Sequence, residues 1–390
     1  MKIANGLDNL VTHHRHLLSN RRIGIVAHPA SVTSSLEHIL PSLRRAGARV
    51  EALFGPEHGF GGEAQDMEPV AAPVKGPAGI PLYSLYGAEE SSLSPSPEAV
   101  SGLDALVVDL FDVGARYYTF VWTAVLCLRV CHRVGTPLIL LDRPNPLNGV
   151  TVEGAPGDSG FLSFVGLLPV PNRHGLTVGE IATMAARLEC LEDALTVIPM
   201  AGWQRDMYFD ETGLPFVMPS PNMPALDTAL VYPGACLLEA TWCSEGRGTT
   251  RPFEFFGAPG LDSDGLCRLL NEQQLPGAFF RPASFKPMFQ KHAGHLCSGA
   301  QLHVRDRSIF EPYRTGVALL WALRRMAGAS FCWREAPYEF VTDTPAIDLL
   351  CGSARVRQML EDGANPDDIR ASWQQGQREF EAVKADFHLY

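Results

Sequence analysis

Along the first 200 residues, apolar positions fall in short continuous runs separated by longer amphipathic stretches. Residues 23–27 (I-G-I-V-A), 50–54, 105–110 (A-L-V-V-D-L), 137–141 and 195–200 are five or six residues long and rich in Val, Ile and Leu, so each predicts a strand. Between them, 34–46, 119–134 and 178–188 predict helices. Continuous rather than alternating apolar runs mark strands buried on both faces, and their alternation with helices predicts a parallel α/β sheet. From about residue 206 the texture changes to Pro- and Gly-rich segments at 209–224, 229–239 and 244–254, which read as irregular functional loops because they are too apolar for disorder. A strand at 300–304, a helix at 313–326 and a charged helical tail at 366–387 then predict a smaller α+β domain closing over the ligand edge of the sheet. The expected division is a sheet domain over 1–257 and an auxiliary domain over 258–390.

In an open parallel sheet the ligand lies beyond the carboxyl ends of the strands. His28, Glu57, His58, Asp109, Asp112, Arg116, Asp142, Arg143 and Asn145 all follow a predicted strand closely. They are therefore candidates for one shared cleft, although Asp and Asn at such places also cap helices and shape turns. A dinucleotide site would need G-x-G-x-x-G after the first strand, where the chain reads H-P-A-S-V-T instead, and G-x-x-x-x-G-K-[ST] is absent. No nucleotide cofactor is expected.

Charge and composition narrow the classes further. With 32 Lys and Arg against 43 Asp and Glu the formal charge is −11, which argues against a nucleic-acid partner. No run approaches the roughly 18 apolar residues of a membrane span, and the first residues lack a hydrophobic segment followed by a cleavage site, so the expected location is cytoplasmic. The nine cysteines are scattered without C-x-x-C, as suits reduced thiols, and no metal is expected.

Two glutamates stand in loops that suit chemistry. Glu57 is in the Gly-bounded G-P-E-H-G turn at a strand end, and Glu245 is in S-E-G-R-G-T-T-R, where glycines permit close backbone approach and arginines offer forked donors. Two facing carboxyls suffice for glycoside hydrolysis, one as acid and the other as nucleophile or base. An ion pair within the protein is the competing explanation for Glu245.

The segments G-P-E-H-G-F-G-G-E (55–63), D-V-G-A-R-Y-Y-T (112–119), L-D-R-P-N-P (141–146), P-S-P-N-M-P (219–224), L-V-Y-P-G (230–234) and S-E-G-R-G-T-T-R-P-F-E (244–254) resemble, in order, the NamZ family of exo-acting β-N-acetylmuramidases, glycoside hydrolase family 171, formerly a domain of unknown function. The resemblance implies a Rossmann-like domain, a C-terminal auxiliary domain and a catalytic cleft between them. It also implies removal of N-acetylmuramic acid from the non-reducing end of peptidoglycan fragments, with a small saccharide or muropeptide as substrate and Glu57 and Glu245 as the catalytic pair. Glu239, Glu254 and Glu63 lie nearby in sequence or motif as alternatives for the second position.

Muramic acid differs from glucosamine by a 3-O-lactyl carboxylate, which a selective pocket pairs with a cation, best an arginine. Arg116, Arg143, Arg247 and Arg251 are the candidates, and internal ion pairs with Asp109, Asp112 or Asp142 are the alternative. Tyr117, Tyr118 and Trp242 either stack on a sugar or pack in the core. His58, His174, Asp142, Asn145 and Asn222 complete the expected substrate contacts. Two other readings compete: a muropeptide-binding protein without turnover, and a metal-dependent hydrolase using His28, His58, Asp109 and Asp142, whose spacing matches no H-E-x-x-H motif.

Overall fold

A computed structural model describes residues 3–71 and 74–390. Its larger sheet contains β1 (Arg22–Val26), β2 (Arg49–Gly55), β3 (Val74–Lys75), β4 (Pro81–Ser84), β5 (Ala105–Val108), β6 (Leu138–Leu141) and β7 (Leu195–Ile198) in the order β3-β4-β2-β1-β5-β6-β7. All neighbours pair in parallel except β3 with β4. The five predicted strands are present, and β5 and β6 are buried at every position, as their unbroken apolar runs require. β3 and β4 were not expected; no residue of either is fully buried, so neither leaves a long apolar run. A second sheet, β8 (Phe255–Ala258), β9 (Ala278–Phe285) and β10 (Cys297–Val304), is antiparallel in the order β8-β10-β9. β8 straddles the expected division at 257/258. The architecture is a mixed α/β fold, with the larger sheet toward the N-terminus and a smaller α+β part toward the C-terminus.

The helices follow the pattern with two corrections. The expected helix at 34–46 is shortened to Ile39–Arg45, because residues 32–38 close a turn through Thr33 N–H to Glu37 O (2.9 Å), with Leu36 at φ 66°. Residues 229–239, expected to be irregular, form the helix Leu226–Ala235 and a following 3₁₀ turn. Pro233 and Gly234 read as loop punctuation, but Gly234 serves a close helix crossing: a Cβ there would lie 1.9 Å from the carbonyl of Pro312 and 2.9 Å from the Gly316 nitrogen in the helix Pro312–Ala327. Val26 of β1 and residues from Phe120–Val134, from 226–240 and from Pro312–Ala327 belong to one continuous apolar core, while Ile23 and Ile25 pack into a second cluster.

Tyr390 ties a small separate apolar cluster, Ile3, Met200 and Trp203, to a strand end. The Tyr390 hydroxyl donates to Asp142 Oδ2 and accepts from the Met200 N–H, both at 2.8 Å, while its ring meets Trp203 edge-on. Replacing Tyr390 by Phe removes both bonds and leaves the Met200 N–H without that acceptor. The expected cost is about 1–3 kcal/mol of stability in urea unfolding, with sugar release unchanged below the transition; an unshifted midpoint would show that water replaces the hydroxyl.

Candidate active site

At the end of β2 the chain makes a tight turn in which Gly59 N–H donates to Pro56 O (2.9 Å), with His58 at φ 70° and Gly59 at φ 84°. Gly55 allows the turn to fold back: a Cβ would sit 2.4 Å from the Phe60 nitrogen. The turn directs Glu57 inward, 4% exposed, where Thr119 at the start of Phe120–Val134 donates to Oε2 at 2.6 Å and Met67 N–H to Oε1 at 3.3 Å. His58 Nδ1 donates to Ala64 O at 2.9 Å, and burial holds its imidazole below its ordinary pKa.

Glu57 and His58 line a narrow pocket that also takes in Asp66, Tyr118, Asn222, Tyr232, Glu239, Arg247, Tyr338 and Glu339. A wider hollow lined by Tyr83, Ser84, Ser91, Ser92 and Arg133 has no carboxylate in its wall.

Arg247 is the cation of the pocket wall. Its Nη2 donates to Glu239 Oε1 at 2.7 Å, its Nη1 lies 3.1 Å from Asp66 Oδ1, its Nε lies 3.4 Å from Glu245 Oε1, and its guanidinium covers the Phe253 ring. Gly246, at φ 81°, lets this loop pass the Phe255 carbonyl, which a Cβ would meet at 2.5 Å. Lys291 bonds Glu245 Oε2 at 2.8 Å, and the Tyr338 hydroxyl donates to Glu239 Oε2 at 2.7 Å.

Five carboxyls, Glu57, Asp66, Glu239, Glu245 and Glu339, thus gather around two cations, Arg247 and Lys291. Such an excess in a buried site cannot be fully ionised. Burial opposes the charge on Glu239, but Arg247, the Tyr338 hydroxyl and Lys291 outweigh it and hold this carboxyl below its ordinary value. Burial, reinforced by the neighbouring glutamates and offset only in part by Arg247, pushes Asp66 up to about 7. Burial, then repulsion from Glu57, holds Glu339 well above the carboxylate range. The pocket therefore contains both ionised and protonated carboxyls, the requirement for acid and base work at one pH.

Of the residues expected from sequence, Glu57, His58, Tyr117, Tyr118, Asn222 and Arg247 meet in this pocket, Tyr117 with its hydroxyl on the Pro233 carbonyl. Asn222 is held by Gln65 (2.8 Å), and the Tyr118 hydroxyl, beside Ser220, lacks a well-formed hydrogen bond. Glu245 is behind the wall, occupied by Lys291 and Arg247. Others are drawn into the scaffold. Arg116 is fully buried and donates to the carbonyls of Val170 (3.1 Å) and Leu350 (2.6 Å). Arg143 pairs with Asp109, and Arg251, about half exposed, pairs with Glu254 at 3.2 Å. Asp142 accepts from Thr177 Oγ1 and Gly179 N–H at the start of Val178–Glu189, and burial raises its pKa to about 6. Asn145 bonds Leu176 O and Leu147 N–H, and His174 accepts from Leu176 N–H. The single cleft expected to collect all strand-end residues is corrected accordingly: β5 and β6 ends spend theirs on internal bonds.

His28 Nε2 accepts from Phe111 N–H, so the residues weighed for metal chemistry are dispersed among separate partners. Among the described residues no group of three or more His, Cys, Asp or Glu side chains is arranged to hold a metal ion. Trp242 packs on Phe331 and is outside the pocket wall. Glu63 is exposed, and Glu254 bonds Thr228. The residues missed by sequence reasoning are Asp66, Tyr338 and Glu339, which lie in A-Q-D-M and A-P-Y-E-F without periodicity or motif; Glu239 stood only as an alternative.

The exo-β-N-acetylmuramidase NamZ family models match the chain over residues 23–227 for the N-terminal part and 230–390 for the C-terminal part. The peptidoglycan β-N-acetylmuramidase NamZ of Bacillus subtilis (strain 168) is 39% identical over 390 residues, spanning 100% of this chain and 92% of that protein. Crystal structures of two DUF1343 family proteins from Bacteroides fragilis NCTC 9343 superpose with TM-scores of 0.88 and 0.77, each 28% identical and covering 100% of this chain and 99% of the other. With both family models matched in order around a buried, carboxylate-rich pocket, the chain belongs to the exo-β-N-acetylmuramidase NamZ family.

Proposed function

We propose that this protein is an exo-acting β-N-acetylmuramidase, a glycoside hydrolase that releases N-acetylmuramic acid from the non-reducing end of peptidoglycan fragments. The observation that carries the reading is the pocket itself, which combines Glu57, a surplus of buried carboxyls and one wall arginine in a chain matched by both NamZ models.

In this reading a Rossmann-like catalytic domain (1–257) and an auxiliary domain (258–390) form a cleft, with Tyr338 and Glu339 contributed by the second. Glu57 acts at the anomeric carbon, held in orientation by Thr119 and Met67. Glu245 orients Arg247 through their shared ion pair instead of reacting. Arg247 receives the lactyl carboxylate, which takes the place of Asp66. Of the two carboxyls that line the pocket beside Arg247, Asp66 is the less costly to displace, since it sits farther from the guanidinium than Glu239 does and gains a proton more readily. Tyr118 and Asn222 line the sugar site. Free thiols, seven buried and Cys190 and Cys332 exposed, suit a reducing compartment, and we place the protein in the cytoplasm.

The test is sugar release from a chromogenic β-N-acetylmuraminide, run beside the corresponding glucosaminide and with EDTA. Release from the muraminide alone, unaffected by chelator, is the expected result. Equal release from both would remove the lactyl-reading role of Arg247, and binding without release from either would return the protein to the non-catalytic class.

A further inference from the structure

Tyr338 and Val341 exchange both backbone hydrogen bonds, at 3.0 and 2.9 Å, so Glu339 and Phe340 are the two central residues of a tight turn. Their φ values are 47° and 69°. Turns of this kind are ordinarily built with Asn, Asp or Gly, because a side chain is strained at positive φ. Here both places hold large side chains, and both point inward. Phe340 packs edge-on against Tyr86, and Glu339, 6% exposed, enters the pocket that Glu57 lines. The Tyr86 hydroxyl donates to Glu339 Oε2 at 2.9 Å, which fixes the carboxyl. Among the described residues no cation pairs with Glu339, in contrast to Glu239 and Glu245.

We propose that Glu339 is a further catalytic residue of this pocket, the acid that gives its proton to the leaving glycosidic oxygen while Glu57 acts at the anomeric carbon. The inference rests on the muramidase reading above and deepens it. As the C1–O bond breaks, its electron pair stays with the glycosidic oxygen, which takes the Glu339 proton. The Glu57 carboxylate balances the positive charge developing at C1. Water then adds its oxygen to C1 and returns a proton to the Glu339 carboxylate, so each turnover consumes one water and restores the acid.

Burial and the charges that face Glu339, those of Glu57, Glu239 and Asp66, keep it protonated well above the range of an exposed glutamate, with the Tyr86 hydroxyl opposing. Because the proton is needed, activity falls as pH rises through this group's pKa.

The test compares wild type and Glu339→Gln on two muraminides, one with a nitrophenolate leaving group that departs without protonation and one a muramic acid–glucosamine disaccharide that requires it. The expected result is a loss in kcat/KM of about 10²-fold or more on the disaccharide, a much smaller loss on the nitrophenyl substrate, and disappearance of the alkaline limb on the disaccharide. The ratio of the two rates does not depend on how much of a preparation is folded, so it also separates chemistry from misfolding. An unchanged ratio with active wild type overturns the role of Glu339 alone. Wild type inactive on both substrates overturns the muramidase reading, and this inference with it.

Discussion

Glu57→Gln is expected to lower kcat on a β-N-acetylmuraminide by about 10³-fold or more while leaving thermal unfolding nearly unchanged. The substitution keeps the volume and an oxygen for the Thr119 hydroxyl, which now donates to Oε2 at 2.6 Å. It removes the carboxyl that the turn after β2 directs into the pocket. The loss belongs to kcat more than to KM, because the charge at the anomeric carbon that Glu57 balances exists only in the transition state. Steady-state kinetics on the chromogenic substrate decide the matter. A kcat within tenfold of wild type would take Glu57 out of the chemistry and leave its turn as an element of pocket shape.

Arg247→Met is expected to destabilise the protein by about 3–5 kcal/mol near neutral pH. The methionine fills part of the space above the Phe253 ring, but Asp66, Glu239 and Glu245 lose their common cation, and Glu245 keeps only Lys291. The pH dependence follows from the same arrangement. In wild type Arg247 helps hold Glu239 below its ordinary pKa; without it, burial raises that pKa, so the folded variant binds more protons than its unfolded chain. Its stability then rises as pH falls, and the deficit relative to wild type shrinks between neutral and mildly acidic pH. Urea unfolding at two pH values measures this directly. A deficit that is small, or constant with pH, would mean that the carboxyls are compensated by something other than Arg247. In whatever fraction folds, discrimination between muraminide and glucosaminide is expected to vanish.

The two substitutions probe features of different legibility. The G-P-E-H-G turn is written in adjacent residues: β2 ends, glycines release the backbone, and the single acid between them has to point somewhere fixed. The apolar runs of β1, β5 and β6 are equally local, because strands buried on both faces carry their burial in their own composition. Local reading failed where a residue type serves a distant partner. Pro233 and Gly234 suggest a break, yet Gly234 is small so that Pro312–Ala327 can approach its helix. Asp142, Arg143 and Asn145 look like a ligand-binding strand end, yet their bonds go to Thr177, Asp109 and Leu176.

Sequence by itself determined the kinds of element, their alternation, the family resemblance and the candidacy of Glu57 and Arg247, since periodicity, glycine-bounded turns and ordered motifs are properties of neighbouring residues. The tertiary structure decided which carboxyls share a pocket and which of them carry protons. Asp66, Glu239 and Glu339 come from three separated segments; Glu239 stood only as an alternative beside the motifs, and no motif or periodicity marks the other two. Their protonation depends on burial and on charges brought close in space, and those sums exist only once the segments are packed together.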